Sequence, residues 1–195
     1  MQGLSFREYL HLFHGIKSRA FTFDEILNHQ VQVPGVEHPL PLFRDYLSRG
    51  YYPFAVQGDF AQRLLQVIDQ TLDVDIPQYA DMKASTARKL KRMLVIISEL
   101  APYKPSMENL ATKIGVSKNN VPDYLVFLER AGMLGLLRDN TVGLRNLGKV
   151  EKVYVDNPNL MSILTPSPNI GNVRETFFYN QMRVKQDITS SKVSD

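Results

Sequence analysis

The sequence contains no cysteine. The chain therefore has no thiol for a disulfide, a thiolate metal site or a nucleophile, and it fits a reducing compartment, so we expect a cytoplasmic protein. No apolar run approaches the ~20 residues that a membrane-spanning helix needs, and the first residues lack the basic and apolar regions of a signal peptide. We therefore expect no contact with a membrane.

The sequence also lacks a strong overall charge, with a formal net charge of +3. The charge is unevenly distributed, however. Residues 1–82 hold 6 basic and 10 acidic side chains, residues 83–157 hold 13 and 7, and residues 158–195 hold 4 and 3. The middle region is thus the only strongly basic one, and it is where we expect an anionic partner to bind.

A complete nucleotide-binding motif is missing as well. Residues 143–150, "GLRNLGKV", match the P-loop pattern G-x-x-x-x-G-K-[ST] except that Val150 replaces the hydroxyl residue that binds magnesium. A P-loop also opens a helix, whereas the run "VEKVYVD" alternates as a strand does. We interpret this stretch as a hairpin turn in which Gly143 and Gly148 supply the turn geometry.

No metal site is apparent in the sequence either. His11 and His14 are three residues apart, a helical spacing that can hold a metal, but no further ligand lies nearby. We interpret both as surface or packing residues, and we expect no catalytic, cofactor or metal site in this chain.

Residues 1–82 are predicted to be a helical region. Ser5 with Glu8, and Thr22 with Glu25, have the spacing of capping boxes at the starts of two helices. A third helix is predicted from Leu42 to Ser48. A longer one follows over residues 60–76, and we expect Pro77 to close it because proline cannot donate a helical hydrogen bond.

Residues 83–157 have the pattern of a winged helix. A helix over residues 85–101 is followed by one capped by Ser106, a turn at Gly115, and a third helix with Pro122 in its first turn. Two strand-like segments, residues 133–139 and 149–156, then form a hairpin. Three helices and a hairpin in this order predict a winged-helix domain.

A winged helix raises the hypothesis of DNA binding. The third helix usually enters the major groove by its N-terminal end, which here offers Lys118, Asn119 and Asn120. The other candidate contacts with nucleic acid are Arg88, Lys89 and Arg92 on the first helix and Arg145 and Lys149 in the hairpin. Asp123 opposes phosphate, and the first-helix cations could instead pair with an acidic neighbour. A protein-interaction module is therefore the alternative.

Residues 158–195 predict a short turn, a proline-rich link and one helix near residues 173–184. The order of "GLSFREYL", "YLSRGYYP", the winged helix, "KVYVDNPNLMSIL" and "GNVRETFFYNQM" resembles a family of bacterial AAA-family ATPases with an uncharacterised C-terminal region. In that family the ATPase motifs lie upstream of the "LSFREYL" helix, and the chain continues into a domain resembling a restriction endonuclease.

The resemblance implies that this chain is a non-catalytic C-terminal fragment of an ATP-binding protein, with ATP and Mg²⁺ as cofactors of the parent only. It also implies that Glu175 and Asp195 are acidic positions of a truncated nuclease-like domain. We thus expect a mainly α chain with a helical region (1–82), a winged helix (83–157) and a truncated helical tail (158–195). The expected partners are duplex DNA and the absent ATPase core, and self-association is left open.

Overall fold

The structure is a computed structural model that describes residues 3–80, 82–139 and 149–183. These residues are mainly helical with one small antiparallel sheet, as the sequence predicted. They belong to two compact units, Met1–Phe60 and Ala61–Asp195, so the predicted boundary after residue 82 falls inside the second unit. None of the helices in the described ranges is both long enough and apolar enough to cross a bilayer.

The first unit opens with helix α1 (Phe6–His14), whose ends are fixed by local side chains. The hydroxyl of Ser5 accepts from the amide of Glu8 at 3.3 Å, while the Glu8 carboxylate accepts from the Ser5 amide at 2.8 Å. Gly15 ends the helix in the left-handed conformation, with φ at 69°. The predicted capping box is confirmed.

Two shorter helices follow, α2 (Phe23–Leu27) and α3 (Pro39–Asp45). The predicted capping box of Thr22 and Glu25 opens α2. Helix α3 begins three residues before the predicted start at Leu42 and continues into a π-helical turn, Tyr46–Gly50; a 3-10 turn, Pro53–Gln57, comes next. Proline in the first turn favours the earlier start, because that turn has no amide hydrogen bond to lose.

Aromatic side chains form the core of the first unit. Tyr9 and Tyr46 are almost completely buried, with ring centroids 5.4 Å apart at an interplanar angle of 61°. The Tyr46 hydroxyl donates to the carbonyl of Leu4 at 2.7 Å, and that of Tyr9 donates to Asp45 at 2.6 Å. A β-carbon at Gly50 would lie 2.6 Å from the Tyr9 ring, so glycine is required for this packing.

One exposed ion pair in this unit predicts a measurable pH dependence. The two terminal guanidinium nitrogens of Arg19 donate to the carboxylate of Glu25, at 2.6 and 3.1 Å. This contact, followed by the Thr22 amide, lowers the pKa of Glu25 from 4.5 to about 2. Because the folded pKa lies below the unfolded one, the pair's stabilisation is present above about pH 4.5 and is lost as the pH falls toward 2.

We expect a carboxyl ¹³C NMR titration of the native protein to give Glu25 a midpoint near 2, and Arg19→Ala to move it up toward 4.5. The Thr22 amide remains as a donor in this variant, so the return should be incomplete. A wild-type midpoint already at 4.5 would contradict the pairing.

The second unit begins with a helix that proline does not end. Helix α4 (Phe60–Gln70) continues through a π-helical turn, Thr71–Asp75, into α5 (Ile76–Ala80). The amide of Ile76 donates to the carbonyl of Thr71, five residues back. The prediction that Pro77 closes the helix is therefore wrong. The wider π turn precedes Pro77, and such turns let a helix continue past a residue that disturbs the regular ladder.

Three further helices come next: α6 (Ala84–Leu100), α7 (Met107–Ile114) and α8 (Val121–Arg130), the last preceded by a 3-10 turn, Lys118–Asn120. The Ser106 hydroxyl caps α7, and Gly115 ends it at φ 71°. Pro122 lies in the first turn of α8, as predicted. Their apolar faces share a core that includes Leu90, Leu94, Ile97, Leu110, Ile114, Val121, Leu125 and Leu128.

Strands β1 (Leu134–Arg138) and β2 (Val150–Val155) pair antiparallel, with Leu134 opposite Val155. Both strands were predicted. Helices α9 (Pro158–Leu164) and α10 (Ile170–Arg183) follow. The segment interpreted as a short turn is thus the helix α9, because the Asn157 side chain accepts from the Leu160 amide and Pro158 occupies the first helical position.

Candidate nucleic-acid interface

Helix α6 carries three basic residues on its outer side. The buried positions of the helix, among them Leu90, Met93, Leu94 and Ile97, face the core of the unit. Arg88 and Arg92 are exposed and Lys89 is half-buried. Positions three and four apart on a helix are neighbours, so the three side chains lie together. We call this set the α6 basic patch.

The charges of the α6 basic patch have no ion-pair partner in the part of the chain that the structure describes. Within residues 3–80, 82–139 and 149–183, none of Arg88, Lys89 and Arg92 makes an ion pair. Lys91 differs, because its ammonium group contacts Asp69 and lies 3.9 Å from Asp73. The hydrogen bond to Asp69 raises the pKa of Lys91. On α6, the positive charge that the described residues leave unpaired is therefore that of the patch.

The N-terminal end of α8 is less basic than its sequence indicates. Lys118, Asn119 and Asn120 are all exposed, in the turn that leads into the helix. The Lys118 ammonium lies 2.5 Å from a carboxylate oxygen of Glu108, and this contact lowers the pKa of Glu108. Asp123, in the first turn of α8, is also exposed. The N-terminal end of α8 therefore exposes the side-chain amides of Asn119 and Asn120 together with both positive and negative charges.

At the hairpin, Lys149 is exposed and its backbone is fixed. Its amide donates to the Asp139 carboxylate at 2.8 Å, and its carbonyl accepts from the Asp139 amide at 3.0 Å. Val150 opens β2, so the strand predicted after the P-loop-like stretch is confirmed. Gly143, Arg145 and Gly148 lie outside the described residues, and the predicted turn and phosphate contact there stay predictions.

Glu175, the acidic position implied on the last helix, is engaged with its neighbours. One of its oxygens accepts from Lys152 at 2.5 Å and from Tyr154 at 2.9 Å. Burial, and then this hydrogen bond, raise the pKa of Tyr154. Nowhere in the described ranges do three His, Asp or Glu side chains cluster as a metal site requires. Asp195 lies outside those ranges, so the nuclease-like role of this pair stays a prediction.

A buried polar cluster lies at the junction of β2 and α10, and the sequence pattern did not predict it. Asp156, at the end of β2, is 6% exposed and pairs with Arg183 on α10. The Asn180 side chain donates to the Asp156 carbonyl at 3.0 Å, and the Asp156 amide donates to Met133 at 3.0 Å. Polar residues directly after the apolar strand "VYV" were the available signal. This cluster fixes α10 against the sheet.

Aromatic stacking strengthens the same junction. The rings of Tyr154 on β2 and Tyr179 on α10 are parallel, with centroids 4.1 Å apart at an angle of 3°. On β1, a β-carbon at Gly135 would lie 2.4 Å from the Tyr179 ring. Glycine at this position allows α10 to approach the strand. The last described helix is thus an integral layer of the second unit.

Comparison with known proteins places the chain in a family. Residues 40–169 match the family described as "Domain of unknown function (DUF8612)", and the chain belongs to it. The matched range contains the α6 basic patch, α8 and the hairpin, but it ends just before α10. No curated protein matches the chain. No solved structure matches it either.

Proposed function

We propose that residues 84–155 form a winged helix, with the β1–β2 hairpin as its wing. Helices α6, α7 and α8 precede the hairpin in the required order and pack on one another, while α6 also packs on β2 and α8 on β1. Tyr103, between α6 and α7, exchanges backbone hydrogen bonds of 3.2 and 2.9 Å with Val153. These bonds attach the segment between the first two helices to the hairpin, which supports treating all five elements as one domain.

This winged helix would bind duplex DNA through the sugar-phosphate backbone. The observation that carries the proposal is the α6 basic patch, whose three cations have no acidic partner among the described residues. Arginine and lysine neutralise phosphates and release the counterions condensed on the duplex, which supplies most of non-specific affinity. Lys149, exposed at the hairpin, adds a fourth candidate contact, and Arg145 a fifth.

Base-specific recognition through α8 has less support. Lys118 is held by Glu108, and Asp123 would repel phosphates near the entrance of the helix into a groove. Asn119 and Asn120 are the side chains that could read adenine edges. Phosphate contacts position a protein without carrying sequence information. We therefore propose binding with little preference for base sequence.

The experiment compares two labelled duplexes of unrelated sequence by fluorescence anisotropy at about 50 mM salt, where phosphate contacts are strong. We expect both to bind, with dissociation constants within about threefold of each other, since base contacts worth ~1–3 kcal/mol each would separate them further. Absence of binding to either duplex would overturn the proposal, and a preference above about tenfold would assign the contact to base reading by α8.

An assembly module is the second candidate. The mixed charge of the α8 entrance, with Lys118 paired to Glu108 beside Asp123, favours it over DNA reading by that helix. On the resemblance to AAA-family ATPases, the chain would position an ATPase core in the cytoplasm, and the core would bind ATP and Mg²⁺. Co-expression with such a core tests this candidate: failure to associate, with the chain monomeric throughout, would remove its basis.

A further inference from the structure

The β1–β2 hairpin changes its register between Leu137 and Arg138. Leu137 lies opposite Lys152, whereas Arg138 lies opposite Val150, so Glu151 has no opposite residue on β1. Such a β-bulge bends the strand and re-aims the side chains beside it. The bulge therefore sets the direction of the end of the hairpin that Arg138 begins.

Arg138 joins this end of the hairpin to helix α8. Its two terminal guanidinium nitrogens donate to the two carboxylate oxygens of Glu129, near the end of α8, at 2.8 and 2.6 Å. Only 16% and 28% of the two side chains, respectively, is exposed. Two parallel hydrogen bonds hold the guanidinium and the carboxylate in one plane, so the pair fixes geometry as well as adding energy. We call this pair the Glu129–Arg138 clamp.

The clamp adjoins the backbone that carries Lys149. Asp139 follows Arg138, its amide donates to the Lys149 carbonyl at 3.0 Å, and its carboxylate accepts from the Lys149 amide at 2.8 Å. The Lys149 side chain is exposed and has no ion pair within the described residues. A two-stranded hairpin on its own is only marginally stable in water. The clamp and Asp139 together therefore fix where the Lys149 backbone lies relative to α8.

We propose that the Glu129–Arg138 clamp positions Lys149 for contact with a DNA phosphate. This inference rests on the duplex binding proposed above for the winged helix. Arg138 is a positioning residue here, because Glu129 already neutralises its charge. A cation on a fixed backbone loses less conformational freedom on binding than one on a loose hairpin. Loss of the clamp should therefore remove the contribution of Lys149 to binding, although Lys149 itself is unchanged.

The test uses two variants that break the paired hydrogen bonds without removing a positive charge, Glu129→Gln and Arg138→Lys. On net charge alone, the first should bind duplex DNA more tightly than the wild type and the second equally well. We expect both to bind up to about fivefold more weakly at ~50 mM salt, the effect of one exposed ion pair. Lys149→Ala should have the same effect, and adding it to either clamp variant should weaken binding no further.

Glu108→Gln is the matched control. It also removes one carboxylate from an ion pair, in this case the pair with Lys118 at 2.5 Å. We expect its affinity for the duplex to equal or exceed that of the wild type. Hydrogen exchange of the free protein tests the clamp without DNA, and the amides of Asp139 and Lys149 should exchange faster in Glu129→Gln than in the wild type.

The outcomes separate this inference from the proposed function. A wild type that does not bind the duplex would overturn both. If the wild type binds, clamp variants that bind at least as tightly would overturn the positioning role alone, and so would a Lys149→Ala loss that adds in full to theirs. Unchanged amide exchange at Asp139 and Lys149 in Glu129→Gln would also overturn it.

Discussion

Replacing Arg88 and Arg92 together by glutamate is expected to weaken duplex DNA binding by about 10–100-fold at ~50 mM salt. The change removes two exposed cations of the α6 basic patch and places two negative charges where phosphates would lie. Each lost contact costs roughly 1 kcal/mol, and the new repulsion adds to that cost. Because both side chains are exposed, the free energy of unfolding should change by less than about 0.5 kcal/mol each.

The matched control is the double variant Arg7→Glu and Arg44→Glu in the first unit. It changes the net charge by the same amount at two other exposed positions. We expect its DNA affinity to fall by less than about threefold, because neither side chain belongs to the α6 basic patch and no proposed phosphate contact is lost. Equal losses in the two double variants would show that only net charge matters. If Asn119→Ala with Asn120→Ala causes the larger loss, α8 is the binding element.

The second large effect concerns stability. Arg183→Ala is expected to lower the free energy of unfolding by about 2–4 kcal/mol, because it leaves the buried carboxylate of Asp156 without its cation. Asp156 is 6% exposed and anchors α10 through Arg183 and Asn180. The variant also removes the guanidinium that lies 5.7 Å from the Tyr179 ring. Urea unfolding monitored by circular dichroism measures the change.

Lys104→Ala is the control for that measurement. Lys104 pairs with Glu151 at 2.6 Å, but its side chain is 62% exposed. An exposed pair contributes about 0–1 kcal/mol, so the control should unfold almost as the wild type does. If Arg183→Ala lowered the free energy of unfolding as little as Lys104→Ala does, the stability of the junction of β2 and α10 would not depend on the buried ion pair.

Features set by neighbouring residues could be predicted from the sequence. The capping boxes of Ser5 and Thr22, the cap at Ser106 and the left-handed glycine at Gly115 depend on side chains within four positions. Pro122 marked the start of α8 because proline fits only the first helical turn without losing a hydrogen bond. Because these interactions involve residues close together in the chain, the order of residues is enough to predict them.

Features that need a particular helical geometry were not predictable in the same way. The π turn at residues 71–75 allows the helix to continue beyond Pro77, and the residue types in this segment do not predict that wider turn. Similarly, α9 is a single short helix whose sequence, "PNLMSIL", suits a turn equally well. Packing against the rest of the unit buries Leu160 and Met161 and decides between the two.

In the candidate site, too, the local sequence predicts some features and tertiary packing determines the others. Counting charges located the basic region, but the count could not identify which cations are already neutralised. Lys91 contacts Asp69 from 22 positions away, and Lys118 contacts Glu108 from 10. Glu175 meets Lys152 across 23 positions. Such pairs follow from tertiary packing. They leave the expected set on α6, Arg88, Lys89 and Arg92, without an ion pair among the described residues, whereas Lys118 of the expected set is paired.

The salt dependence of duplex DNA binding tests the central claim most directly. With about three phosphates neutralised by the α6 basic patch, log Kd should rise against log salt with a slope near 2.7, which is a loss of affinity of about 40-fold between 50 and 200 mM. Anisotropy titrations of one duplex across that range give the slope. Affinity that does not change with salt, or no binding at 50 mM, would contradict electrostatic binding to the DNA backbone.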